Sequence, residues 1–150
     1  MNRKIAVFTG SRSEYGLQFP ILRAIAADPR LDYYLLVGGA HLLHDFGETS
    51  REIEQDGFRI HARLQIPPPS NPSTYTAESI ARGILAVSAV LAELRPDFLV
   101  LYGDRFESFA AMMKAGLGEN KPNWAYTTSG VPYISALPNA PPPQELKNQT

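Results

Sequence analysis

Apolar positions along this chain switch repeatedly between two periods. Residues 4–9 (KIAVFT) are short, apolar and partly β-branched, the pattern of a buried strand. Leu17, Ile21, Leu22 and Ile25 then recur at helical spacing, and Asp28-Pro29 ends the helix. Pro20 leaves two options open: a helix starting near Gly16, or one starting at Ser11 with a kink. Residues 31–37 (LDYYLLV) predict a second buried strand, closed by Gly38-Gly39. Thr49 and Glu52 have capping-box spacing and Gly57 suits a helix C-terminus, which predicts a short helix over residues 50–56. Phe58, Ile60, Ala62 and Leu64 alternate with polar residues, as in a strand with one wet face near a sheet edge. Pro67, Pro68, Pro69 and Pro72 impose a loop. Ile80, Ile84, Val87, Leu91 and Leu94 trace one face of a long helix that stops before Pro96. Residues 98–102 (FLVLY) form the most apolar strand, Gly103-Asp104 begins its turn, and a helix follows from Phe106 to about Leu117.

Strand and helix thus alternate four times. This order predicts an α/β fold, a Rossmann-like parallel sheet with helices on both faces and right-handed crossovers. Ligands of such sheets bind beyond the carboxyl ends of the strands. The rhythm stops near Leu117, so residues 1–117 read as one domain. Residues 118–150 hold six prolines and little periodicity, which predicts a mostly irregular or disordered tail with at most one short strand between Asn123 and Ser135.

Composition narrows the partners without choosing one. The 150 residues carry 14 basic and 15 acidic side chains, a balance that disfavours a general nucleic-acid binder. With no cysteine, disulfides and thiolate metal sites are excluded. No apolar run approaches the roughly 18 residues needed to span a membrane, and residues 1–10 lack the pattern of a secretory signal. A cytoplasmic protein is the expectation.

Two loops carry candidate chemistry. Residues 10–16 (GSRSEYG) join a strand to a helix, where free backbone N–H groups meet anions, and Arg12 adds a cationic fork suited to phosphate. The run matches neither the Walker loop nor G-x-G-x-x-G. Ser11 and Glu14 have capping-box spacing, so local capping is the competing reading. Residues 103–107 (GDRFE) carry the same ambiguity. Asp104 and Glu107 could cap a helix, or Asp104 could act as acid or base with Arg105 on a phosphate. His41, His44 and Asp45 fit no standard zinc spacing, and local hydrogen bonding is the preferred reading. His61 reads as solvent-facing.

Taken in order, KIAVFTGSRSEYG, FPILRAI, GGAHLLHDFGETSREIEQDGF and LRPDFLVLYGDRFESFAAM resemble the N-terminal domain of the hydrolysing UDP-N-acetylglucosamine 2-epimerases of sialic-acid biosynthesis, over about residues 3–117. The resemblance implies the N-terminal half of a GT-B fold, with the active site in the cleft between two Rossmann-like domains. It implies conversion of UDP-GlcNAc and water to UDP and N-acetylmannosamine, by anti elimination of UDP to a 2-acetamidoglucal and addition of water. No cofactor and no metal is implied. By position, Arg12 and Arg105 would contact the UDP phosphates with Gly16 at the loop's end, Asp104 would be the acid/base and Glu14 an acidic residue beside the substrate. The family continues with a His-x-x-Gly-Gly-Glu motif where this chain reads ENKPNWAYTTSGVPYIS. Its chains are more than twice as long. The expectation is a truncated N-terminal portion, inactive alone, that forms homo-oligomers or joins a full-length subunit. A non-catalytic binding module and a fragment of a GT-B glycosyltransferase are the alternatives.

Overall fold

β1 (Arg3–Thr9) runs through the middle of the sheet because its side chains are apolar on both faces. Ile5 and Val7 face one way, Ala6 and Phe8 the other, and all four are buried. The structure, a computed structural model, describes residues 2–44, 47, 49–65, 75–102, 123–127 and 133–134. After β1 come α1 (Arg12–Ala27), β2 (Leu31–Gly38), a 3-10 turn (Gly39–Leu42), α2 (Ser50–Gln55) and β3 (Ile60–Leu64). α3 (Tyr75–Leu94), β4 (Phe98–Tyr102), β5 (Asn123–Thr127) and β6 (Tyr133–Ile134) complete the described elements.

The strand order is β3-β2-β1-β4-β5-β6, parallel from β3 to β5 and antiparallel between β5 and β6. On one face Tyr15 and Leu22 of α1 and Ile53 of α2 pack on Ile5, Val7, Leu35 and Val37. On the other, Val87, Leu91 and Leu94 of α3 pack on Ala6, Phe8, Leu36, Leu99 and Leu101. The α/β, Rossmann-like sheet with helices on both faces is therefore present. The chain steps outward from β1 to β3, then returns to place β4 beside β1. A reversed step needs its helix on the opposite face if every crossover keeps one hand, and α3 lies there. The reversal makes the gap between β1 and β4 the switch point of the sheet.

Local chemistry accounts for the helix ends. Ser11 caps α1 and its hydroxyl accepts the Glu14 N–H at 3.4 Å. α1 is one helix from Arg12, with Pro20 inside it. The proline costs less here than in a helix interior facing a core. Its ring abuts the carbonyl of Gly16, and both residues are exposed, so water can serve the freed oxygen. α2 ends as expected at Gly57, whose φ of +86° suits a residue without Cβ. Gly57 N–H donates to Glu54 O and Phe58 N–H to Ile53 O, with Phe58 and Ile53 in one apolar cluster.

β3 sits at the edge of the sheet, as its alternation predicts. Between residues 123 and 135 two strands occur rather than one. β5 extends the sheet through pairs running from Phe98↔Asn123 to Tyr102↔Thr127. Five residues carry too little periodicity to separate strand from loop, so the pairing partner decides. The expected helix over 106–117 lies outside the described residues.

Candidate functional site

The carboxyl ends of β1 and β4 meet at the switch point. Phe8 pairs with Leu101, so the turn after Thr9 and the chain leaving Tyr102 start side by side. Gly10 therefore starts at the same end of the sheet at which β4 ends with Tyr102. Asp104, Arg105 and Glu107 lie outside the described residues.

The β1–α1 turn is shorter than the glycine-bounded run suggests. Only Gly10 and Ser11 are non-helical, and Gly16 sits in the second turn of α1 rather than at a loop's end. Apart from its own helix and chain neighbours, no described residue lies within 4 Å of a Cβ placed on Gly16. Glu14 is 4% exposed, and its carboxylate accepts the Gly10 N–H at 2.7 Å. Together with the Ser11 hydroxyl this makes a capping box displaced by one residue. The capping reading of Ser11 and Glu14 is therefore realised in the fold. It leaves the N–H groups of Arg12 and Ser13 without an acceptor among the described residues, at the positive end of a 16-residue helix.

Arg12 projects into solvent from this end. Its Nε lies 3.0 Å from a Glu52 carboxylate oxygen of α2, with the two side chains 74% and 43% exposed. An exposed pair of this kind contributes at most about 1 kcal/mol, so the guanidinium can exchange Glu52 for a stronger anion. Behind the turn, Tyr15 donates to Asp56 at 2.8 Å. Burial, the bond to Asp56 and the nearby carboxylates together push the phenol pKa well above its usual value. Tyr15 stays neutral and pins α1 to α2.

Sequence reasoning missed one residue here and placed another only in part. His41 is completely buried, with hydroxyls of Thr9 and Thr49 at its two ring nitrogens. Local hydrogen bonding was the preferred reading for this histidine, but not its link to the turn. Thr49 makes no side-chain cap on α2, contrary to its capping-box spacing: its backbone is already helical at φ −62°, ψ −2°, and its hydroxyl points to His41. Gln18 is 1% exposed, and neither atom of its amide has a hydrogen-bond partner among the described residues. Its periodicity on the inner face of α1 was the available signal. Burying such an amide costs about 1–3 kcal/mol. Gln18→Leu is expected to raise the denaturant midpoint by the equivalent of about 1 kcal/mol, measured by urea unfolding at constant m-value.

Among the described residues no cluster of three potential metal ligands occurs, and no helix is long and apolar enough to cross a membrane.

The sequence profile described as UDP-N-acetylglucosamine 2-epimerase matches residues 23–119. A UDP-N,N'-diacetylbacillosamine 2-epimerase (hydrolyzing) from Legionella pneumophila is 32% identical over 115 residues, 77% of this chain and 30% of that protein. A GDP/UDP-N,N'-diacetylbacillosamine 2-epimerase (hydrolyzing) from Campylobacter jejuni is 31% identical over 105 residues, covering 70% and 27%. A UDP-N-acetylglucosamine 2-epimerase from Neisseria meningitidis is 26% identical over 108 residues, covering 72% and 28%. The chain therefore spans about three tenths of the length of these relatives. Among solved structures, a Neisseria meningitidis UDP-GlcNAc 2-epimerase bound to UDP-GlcNAc superposes with a TM-score of 0.69 at 18% identity, over 82% of this chain and 31% of that one. A Methanocaldococcus jannaschii enzyme in complex with UDP-GlcNAc and UDP gives 0.67 at 21%, over 82% and 32%.

Proposed function

The chain belongs to the UDP-N-acetylglucosamine 2-epimerase family, and from that premise we propose that its β1–α1 turn holds the diphosphate of a UDP-linked 2-acetamido sugar, as one wall of a hydrolysing 2-epimerase site. The observation that carries this reading is the open start of α1. Two N–H groups without acceptors among the described residues and the exposed Arg12 guanidinium lie there, at the switch point beside β4. Relatives of the same fold are bound to UDP-GlcNAc or UDP.

In this reading the C1–O bond breaks and its electron pair leaves with UDP. A base takes the proton from C2, and water then adds to the 2-acetamidoglucal. Negative charge grows on the β-phosphate as the bond breaks, and Arg12 with Arg105 lowers the barrier by meeting it. Asp104 is the acid/base candidate. Glu14, buried and bonded to Gly10 N–H, holds the turn beside the substrate.

The substrate is UDP-GlcNAc, yielding N-acetylmannosamine as in sialic-acid biosynthesis, or UDP-N,N'-diacetylbacillosamine. The second is favoured by the higher identity of the two relatives so named, 32% and 31% against 26%. Both present the same diphosphate and 2-acetamido group. Catalysis also needs a second wall, and these 150 residues on their own are expected to release no UDP from either sugar nucleotide.

Titrating the chain with UDP and with uridine, followed by amide NMR, tests the diphosphate reading. UDP should shift the Gly10, Arg12 and Ser13 amides, whereas uridine at equal concentration should not. Equal effects of the two ligands would remove the phosphates from the argument.

A further inference from the structure

His41 takes no part in the chemistry above, yet it is completely buried against the candidate turn. Its Nε2 lies 3.0 Å from Thr9 Oγ1, at the last residue of β1. Its Nδ1 lies 2.7 Å from Thr49 Oγ1, directly before α2. The hydroxyl of Thr9 is 3.4 Å from the Ser11 carbonyl and donates to it. A hydroxyl has one proton, so Thr9 Oγ1 then accepts from the ring, which places the imidazole proton on Nε2. Nδ1 is left as the acceptor, and Thr49 donates to it. The ring also bonds to the Ser11 carbonyl, so Thr9 and His41 both face that oxygen.

We propose that neutral His41, protonated on Nε2, is a positioning residue that fixes the Gly10–Ser11 turn for diphosphate binding through the hydroxyls of Thr9 and Thr49. The chain of bonds joins the end of β1, the first carbonyl of the α1 cap and the entry to α2. That last helix carries Glu52, the partner of Arg12. One buried ring therefore sets both the N–H groups of the turn and the side chain that competes for the guanidinium. A core histidine satisfied for packing alone needs no such placement. Thr49 in particular would serve α2 better as a cap, and its backbone at φ −62°, ψ −2° is already helical instead.

The functional half of this inference rests on the diphosphate reading, so two readouts are needed. Imidazole nitrogen shifts of the wild-type chain report the tautomer without any ligand. Thr9→Val removes the relaying hydroxyl at nearly constant volume, and Thr9→Ser restores it. The expected result is the Nε2–H tautomer, displaced Gly10 and Ser11 amide resonances in Thr9→Val, and UDP affinity about tenfold weaker, with Thr9→Ser close to wild type in both. An Nδ1–H tautomer overturns the proposal, as do Gly10 and Ser11 amides in Thr9→Val that match wild type. Displaced amides with unchanged UDP affinity overturn the functional half. A wild-type chain that binds no UDP overturns the diphosphate reading, while the tautomer and amide shifts still decide the role of His41 in the turn. Thermal unfolding of each variant separates these effects from global destabilisation.

Discussion

Arg12→Ala is expected to weaken UDP binding roughly ten- to hundredfold while leaving unfolding nearly unchanged. A charge-assisted contact to phosphate is worth about 1.5–3 kcal/mol, which sets the size of the loss. The stability side is small because the only folded-state partner seen for Arg12 among the described residues is Glu52, across an exposed pair. Glu52→Gln sharpens the test. It releases the guanidinium from its intramolecular competitor, so UDP affinity should hold or rise. Arg12→Lys should fall between wild type and Ala, since an ammonium keeps the charge and loses the fork. Calorimetric titration at low ionic strength gives all three numbers. Wild-type affinity in Arg12→Ala would remove the residue from the site, and weaker binding in Glu52→Gln would make that carboxylate a contributor instead of a competitor.

Acidification should destabilise the protein through His41 between about pH 6.5 and pH 4. Burial, opposed by a bond to the Ser11 carbonyl, holds this imidazole at a pKa of about 4, below its ordinary 6.5. A depressed histidine is neutral when folded and takes its proton more readily when unfolded. Stability is therefore full above the unfolded value near 6.5, falls as the pH drops through the interval, and levels off below about 4. The loss approaches about 3 kcal/mol, a large share of the 5–15 kcal/mol typical of a domain. Asp28 behaves differently: its hydrogen bonds to Arg30 hold it at about 2, so its contribution fades only between its ordinary 3.8 and that value. The two windows barely overlap. Urea midpoints at pH 7, 5.5 and 4 for wild type and His41→Gln check the assignment. The wild-type midpoint should fall steeply, and the variant's should stay comparatively flat. Parallel curves would mean that other groups carry the acid sensitivity.

Most of the architecture was legible because periodicity reports burial directly. β1, β2 and β4 carry continuous apolar runs, as strands covered on both faces must. The alternation of β3 announced an edge, and α3 was readable from one apolar stripe. Local patterns were ambiguous or misleading where one residue could serve two masters. Pro20 left the start of α1 open, and the earlier start is realised because the proline faces water, where the lost hydrogen bond is cheaply replaced. Thr49 and Glu52 had capping spacing, but a buried imidazole eight residues earlier takes the hydroxyl. No local pattern could show this, because the competitor arrives through tertiary packing.

The candidate site divides in the same way. Residue type and strand-to-helix position marked the turn at Gly10, with Arg12 and Glu14, from the chain alone, because glycine, a cap and a cation after a buried strand suit an anion wherever they occur. Where each of these side chains points was settled by the fold. Glu14 turns inward to Gly10, Arg12 outward to Glu52, and Gly16 lies within the helix. The register of β1 against β4 brings the ends of two strands distant in sequence side by side, and the burial of His41 ties the turn to α2. Such contacts depend on strand order and on the faces that helices cover. These are long-range choices, made by packing, that no window of neighbouring residues encodes.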